Sequence, residues 1–129
     1  MSGVEPAELL VAYDGSDAAV RAAEFAFSRA AKTGERVDVV HVGAGVDERS
    51  IRTELAEELV RESIVATVET IDPEDGDGTG DALAELIGRN GYEMTFVGYE
   101  SYDLLGRLRH DSVTESLLER KLVPVTVVP

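Results

Sequence analysis

Cysteine is absent from this 129-residue sequence, which excludes disulfides, thiol nucleophiles and zinc–thiolate sites. Tryptophan is absent too, and aromatic residues make up only 5% of the chain. No apolar run approaches the ~20 residues that a membrane-spanning helix needs. Residues 1–8 lack the basic and apolar regions of a secretory signal. We therefore expect a cytoplasmic protein that makes no contact with a membrane.

Basic residues are scarce. Twelve lysines and arginines face 26 acidic residues, which gives a formal net charge of −14, and only Lys32 and Lys121 are lysines. Binding of nucleic acid through its phosphates is disfavoured by this charge. High salt screens the repulsion within such a surface, since the Debye length falls to about 3 Å at 1 M. The composition predicts a salt-adapted, halophilic protein, and the alternative is an acidic protein without that adaptation.

Short apolar runs that alternate with helical patterns predict a single α/β domain over residues 1–129. Hydrophobic residues make up 43% of the chain, enough for one packed core. The predicted strands cover residues 9–13, 37–42, 64–71, 94–98 and 123–128. The predicted helices begin near Ser16, Ile51, Asp81 and Ser112. This alternation favours an open, mainly parallel five-stranded sheet with helices on both faces, the Rossmann-like arrangement.

Capping residues and apolar spacing define the helices more closely. Ser16 is a typical N-cap, and Gly34 is a typical stop for the first helix. Ile51, Leu55 and Leu59 form one apolar stripe of the second helix. Charged residues occupy the rest of that helix, and we expect them to be solvated: Glu54, Glu57, Glu58 and Arg61. The third helix follows a cap at Asp81 and ends at Asn90–Gly91.

No pattern of a catalytic or metal site stands out. A Gly-x-Ser-x-Gly elbow and a Walker loop are both missing, so we do not expect an enzyme. His41 and His110 lack the paired spacing of metal ligands. The acidic loop over residues 72–80 begins like a calcium-binding loop, but Leu86 stands where the bidentate acid is needed. We expect a solvated loop there and no bound metal.

Ligands of open α/β sheets bind beyond the carboxyl ends of the strands, which directs attention to Asp14, residues 41–43 and residues 98–112. A glycine at a strand end, followed by the start of a helix, can present backbone N–H groups to a phosphate. Gly98 and the helix predicted from Ser112 fit this description.

The chain resembles the universal stress protein family at four places. These are Leu-Val-Ala-Tyr-Asp-Gly-Ser over residues 10–16, His41–Val42, Gly98, and Pro-Val-Thr-Val-Val over residues 124–128. The resemblance implies a five-stranded α/β fold, a homodimer, and either an ATP-binding or a non-binding member. It places the carboxylate of Asp14 near a ribose and the backbone of Val42 near an adenine. The implied contacts as a whole are Ala12, Asp14, Val42, Gly98, Ser101, Asp111, Ser112 and Val113.

The phosphate loop departs from the pattern of the ATP-binding members, which is Gly-x2-Gly-x9-Gly followed by Ser or Thr. Gly98 matches the first glycine and Ser112 the hydroxyl, but Ser101 and Asp111 replace the other two glycines. A carboxylate repels phosphate, and any side chain fills space that glycine leaves open. We therefore expect a regulatory or interaction protein of the stress-response type whose ATP-binding loop is degraded.

Other interpretations stay open at this stage. Arg107 and Arg109 could neutralise Asp111, which would make the protein a nucleotide-binding sensor. Residues 112–115 also form a capping box that needs no ligand, and Asp14 could simply stabilise a turn. A flavodoxin-like electron carrier would share the fold, although the loop after the first strand lacks the Ser and Thr residues of a flavin-phosphate site.

The apolar C-terminal strand predicts the mode of assembly. Residues 123–128 contain four valines and no charge, and an uncovered apolar edge strand promotes aggregation. Pairing of this strand with its copy about a two-fold axis would satisfy both edges. We expect a homodimer that forms through the C-terminal strand; a further protein partner is not specified by the sequence.

Overall fold

The computed structural model describes residues 7–43, 47–72, 79–98 and 124–129. Five strands form one sheet: β1 Leu9–Ala12, β2 Val37–Val42, β3 Ala66–Ile71, β4 Met94–Gly98 and β5 Val125–Val128. Their order across the sheet is β3-β2-β1-β4-β5, and every neighbouring pair is parallel. The predicted α/β class is confirmed. The chain runs outward from β1 to β3 and returns beyond β1 to β4, so the strand order reverses between β1 and β4.

Four helices lie in the described ranges: α1 Asp17–Thr33, α2 Glu48–Glu54, α3 Ala56–Glu62 and α4 Thr79–Asn90. Both predicted ends of α1 are confirmed. The Ser16 hydroxyl accepts a hydrogen bond from the amide of Ala19 at 3.1 Å, and Gly34 adopts the left-handed conformation with φ 78°. Glycine reaches that conformation without the steric cost that a Cβ brings.

The side chains of β1 alternate between two cores, as a sheet covered on both faces requires. Leu9 and Val11 are buried beneath α1, α2 and α3. Leu10 is buried on the opposite face beneath α4, together with Leu83. The prediction of helices on both faces is therefore confirmed.

The prediction of a single second helix is wrong, because this segment forms two helices, α2 and α3. Its apolar stripe is correct, since Ile51 and Leu55 are fully buried. At Leu55, however, the backbone leaves helical geometry, with φ −102° and ψ 11°, and this residue separates α2 from α3. Its amide N–H is shared between the carbonyls of Ile51 and Thr53. A tightened turn of this kind satisfies backbone groups at a helix end without a side-chain cap.

The expectation of a solvated charged face on this segment is wrong at one position, since Glu58 is only 9% exposed. Glu54, Glu57 and Arg61 are exposed, as predicted. Glu54 also accepts a hydrogen bond from the Tyr13 hydroxyl at 3.1 Å. Tyr13 directly follows β1 and is buried, and a buried tyrosine hydroxyl usually takes a hydrogen-bond partner.

Smaller corrections concern element boundaries. Helix α4 begins at Thr79, so that Asp81 lies in its first turn and is not its cap. Strand β3 begins at Ala66, two residues later than predicted, and β5 begins at Val125. The helix predicted from Ser112 lies outside the described residues. Among the helices that are described, none has the length and apolar character to cross a bilayer.

Candidate functional site

A cavity opens at the carboxyl ends of β1, β2 and β4, where the strand order reverses. The volume bounded by the described residues is about 170 Å³. Its lining comes from three strands and two helices: Ala12, Tyr13, Asp14, Ala19, Val40, Val42, Leu83, Val97 and Gly98. This is the position at which open α/β sheets bind ligands.

The cavity brings together four residues that the sequence singled out. Ala12, Asp14, Val42 and Gly98 all line it, although they are up to 86 positions apart in the chain. The other four, Ser101, Asp111, Ser112 and Val113, lie outside the described residues. The ligand contacts expected of all eight stay predictions.

Sequence reasoning missed most of the apolar wall. Val40, Leu83 and Val97 line the cavity and belong to the core beneath α4. Strand alternation could have found Val40, because it lies two residues before Val42 and therefore on the same face of the sheet. Leu83 lies on α4, the helix that connects β3 to β4. No local pattern in the sequence predicts that this helix reaches the cavity.

Asp14 has a definite structural role. Its Oδ1 accepts a hydrogen bond from the amide of Ser16 at 2.9 Å, which stabilises the turn that leads into α1. Gly15, in the middle of this turn, has φ 83°. The carboxylate remains exposed, and no other hydrogen bond to it is found within the described ranges. Asp14 can therefore hold the turn through one oxygen while the other is open to solvent.

His41 connects the ends of two neighbouring strands, as a structural residue would. Its Nδ1 lies 2.9 Å from the carbonyl oxygen of Tyr13. A carbonyl oxygen only accepts hydrogen bonds, so the proton of this bond is on Nδ1. In the neutral imidazole, Nε2 is then the nitrogen without a proton. Within the ranges that the structure describes, no group of three or more His, Cys, Asp or Glu side chains is placed to hold a metal.

Gly98 lies where the start of α1 packs against the end of β4. A Cβ at this position would be 2.4 Å from the carbonyl carbon of Ala18 and 2.4 Å from the amide nitrogen of Ala19. Both atoms belong to backbone, so a small side-chain movement cannot relieve the overlap. Packing of α1 alone therefore requires glycine here, whether or not a ligand binds.

Tyr13, which lines the cavity, donates its hydroxyl hydrogen to the exposed carboxylate of Glu54 on α2. Burial raises the pKa of the Tyr13 phenol, and the hydrogen bond to Glu54 and the negative charges of Glu54, Asp14 and Glu58 raise that pKa further. Glu58 Oε2 is buried and has no hydrogen-bond partner.

Several solved structures share this fold. A universal stress protein family member from Burkholderia pseudomallei is 22% identical, with 94% of each chain covered and a TM-score of 0.72. A universal stress protein in complex with cAMP is 20% identical, with 97% of this chain and 98% of that chain covered and a TM-score of 0.74. The Archaeoglobus fulgidus protein in complex with dAMP is 20% identical, with 95% and 98% covered and a TM-score of 0.68. At these identities the likeness establishes the fold.

The family itself is established by sequence. No curated protein matches the chain. The sequence pattern of the universal stress protein family, however, matches residues 7–129, which takes in the cavity, both cores and the C-terminal strand. The chain belongs to the universal stress protein family.

Proposed function

We propose that this protein is a non-catalytic stress-response regulator whose cavity binds the adenosine part of a nucleotide and whose phosphate loop holds ATP weakly. The observation that carries the proposal is the convergence of Ala12, Asp14, Val42 and Gly98 on one cavity at the point where the strand order reverses. These are the described positions at which the resemblance implied nucleotide contacts.

The walls of the cavity suit a purine nucleoside. Val40, Leu83 and Val97 give apolar contact area for a flat ring, and the exposed carboxylate of Asp14 can accept hydrogen bonds from ribose hydroxyls. The described walls enclose about 170 Å³, less than the ~300–1,000 Å³ of complete ligand sites. They would therefore surround the base and leave the phosphates to other residues. The similar proteins solved with cAMP and dAMP support a site for an adenine nucleotide.

The sequence of the phosphate loop argues against tight binding of a triphosphate. Asp111 adds a negative charge where the ATP-binding pattern has glycine. Coulomb repulsion grows with the product of the charges, so this carboxylate opposes ATP more strongly than it opposes a monophosphate. We expect AMP or cAMP to bind more tightly than ATP.

The proposal is tested first by mass spectrometry of an acid extract of the purified protein, followed by calorimetric titration with AMP, cAMP and ATP in molar KCl. We expect Ser101→Gly/Asp111→Gly to raise ATP affinity by at least tenfold, which corresponds to about 1.4 kcal/mol. Asp103→Gly, which removes a carboxylate elsewhere in the same loop, is the matched control and should leave ATP affinity unchanged.

The outcomes separate the candidate functions. An unchanged ATP affinity in the double variant would show that Ser101 and Asp111 are not at the phosphate site. Tight ATP binding by the parent protein, lost in Arg107→Ala or Arg109→Ala, would instead support the nucleotide sensor with arginine compensation. A bound flavin in the extract would establish the electron carrier and contradict both.

We also propose that the functional unit is a homodimer that forms through β5. This strand is one edge of the sheet, and Val127 on it is 39% exposed. The opposite edge strand, β3, carries the exposed Glu69, and a charge of this kind protects an edge from pairing. Strand β5 contains no charged residue, so it is the edge better suited to pair with its own copy.

A further inference from the structure

We propose that Phe25 extends the homodimer interface from β5 onto α1, so that the side chain of Phe25 packs against the partner's Phe25 across the two-fold axis. The inference rests on the homodimer through β5 proposed above, and it adds a second layer to that contact. It starts from an exposed aromatic side chain. Phe25 is 60% exposed, whereas the other two phenylalanines of the chain, Phe27 and Phe96, are buried.

Two contacts show which way this side of α1 faces. Ala18, Arg21 and Phe25 follow one another at i, i+3 and i+7, so they lie along one side of the helix. The backbone of Ala18 packs against Gly98 at the end of β4. The Nε of Arg21 donates to the carbonyl oxygen of Pro129, directly after β5, at 2.6 Å. Phe25 therefore lies on the side of α1 that faces β4 and the β5 edge.

The symmetry of the proposed dimer brings the two α1 helices to the same side. A two-fold axis between two β5 edges makes the paired strands antiparallel and runs perpendicular to the sheet. The same face of the sheet is then on the same side in both copies, and so is α1. A contact about a two-fold axis uses the same residues from both copies. Phe25, on the side of α1 that faces the axis, therefore meets its equivalent above the paired strands.

The short length of β5 means that a stable dimer needs further surface. The strand has four residues, which span about 14 Å at about 3.4 Å per residue. Stable protein interfaces bury about 1,200–2,000 Å² in total, more than the pairing of two such strands supplies. A phenylalanine as exposed as Phe25 can add on the order of 100 Å² from each copy. The side of α1 next to β5 is thus a source of the missing apolar area.

The charges beside Phe25 also favour a second copy as the occupant. With a net charge of −14, two copies repel each other over most of their surface. One helical turn before and after Phe25, however, α1 carries Arg21 and Arg29. Both arginines already have partners in the same chain, the carbonyl of Pro129 and the carboxylate of Glu35, the latter at 2.8 Å. Two copies can therefore approach here without placing carboxylates or unpartnered guanidinium groups next to Phe25.

Sedimentation of a dilution series in molar KCl, which gives the dissociation constant of the dimer, tests the role of Phe25. Phe25→Ala should raise that constant by at least about tenfold, because buried aromatic side chains dominate the energetics of interfaces. Val60→Ala is the matched control, since it shortens a 77% exposed apolar side chain on α3, and it should change the constant by less than about twofold. Both side chains are exposed, so both variants should melt like the parent at equal salt.

Cross-linking gives a second readout. The chain contains no cysteine, so Phe25→Cys and Val60→Cys each carry a single thiol. A short bismaleimide should join two Phe25→Cys chains into a covalent dimer, and it should leave Val60→Cys chains single at the same concentration.

The outcomes separate this inference from the proposed dimer itself. A dimeric parent that Val127→Asp dissociates, with no effect of Phe25→Ala and no cross-link through Phe25→Cys, would overturn the role of Phe25 and leave pairing through β5 in place. Equal weakening by Phe25→Ala and Val60→Ala would show a general effect of exposed apolar surface and would overturn it too. A monomeric parent would overturn both proposals.

Discussion

At the scale of single residues, two positions of the candidate site serve the fold as well as any ligand. Asp14 holds the turn into α1 through its hydrogen bond from Ser16. Gly98 leaves space for the backbone of Ala18 and Ala19. The sequence pattern selected both residues, and both line the same cavity. It did not reveal the close approach that makes Gly98 necessary, because that contact joins β4 to a helix some 80 positions earlier.

Gly98→Ala should therefore destabilise the protein even without a ligand. The added Cβ overlaps backbone at 2.4 Å, and relief requires α1 to move, for which overpacking costs of about 1–3 kcal/mol are typical. Gly88→Ala is the matched control. That glycine lies within α4 with nothing within 4 Å of the added Cβ, so alanine should stabilise by about 0.5–1 kcal/mol through helix propensity.

Urea unfolding in molar KCl measures both changes. A Gly98→Ala variant as stable as the parent would mean that α1 is free to shift at this contact, and that glycine here reflects the ligand alone.

At the scale of helices and strands, the sequence predicted the elements whose ends are marked by local residues. Strands β1, β4 and β5 are short, mainly apolar runs, and α1 is marked by Ser16 and Gly34. The break between α2 and α3 has no such signal, since Leu55 is a good helix former and no Gly or Pro is near it. The burial of Glu58 was missed for a related reason. Apolar periodicity locates the face against the sheet, but it does not show which flanking charged side chain becomes buried in the packed fold.

The exposed edge at β5 leads to a prediction about assembly. Val127→Asp should shift the protein from dimer to monomer, because the new carboxylate would have to be buried unpaired if this strand pairs with its copy. Val65→Asp is the matched control: it makes the same change at a 57% exposed valine, directly before β3 at the opposite edge.

Light scattering in molar KCl at micromolar concentration measures the outcome. We expect a dimer for the parent and for Val65→Asp, and a monomer for Val127→Asp. A monomeric parent, or a Val127→Asp variant that stays dimeric, would contradict assembly through β5.

At the scale of the whole molecule, the site follows from topology. Placing β4 beside β1 brings Gly98 next to Ala12 and Asp14, and α4 then supplies Leu83 as a further wall. The alternation of strands and helices was enough to predict a parallel sheet and the edge at which the cavity opens. It could not predict the helix residue at the wall, because the register of a helix over a sheet is set by packing and has no local sequence signal.

Net charge is the other property of the whole molecule, and it leads to the last prediction. A formal charge of −14 on 129 residues makes the folded surface repel itself, and unfolding relieves this repulsion by spreading the charges apart. Potassium chloride should therefore raise the melting temperature between dilute buffer and 1 M, as the Debye length falls from about 10 Å at 0.1 M to about 3 Å.

A variant with Glu24→Gln, Glu57→Gln and Glu85→Gln removes three exposed carboxylates and should melt higher in dilute buffer, with a weaker dependence on salt. Sorbitol at matched osmolality does not screen charge and serves as the control for general solute effects. Equal salt slopes in the parent and the triple variant would assign the stabilisation to solute exclusion, and a flat melting temperature in the parent would contradict salt adaptation altogether.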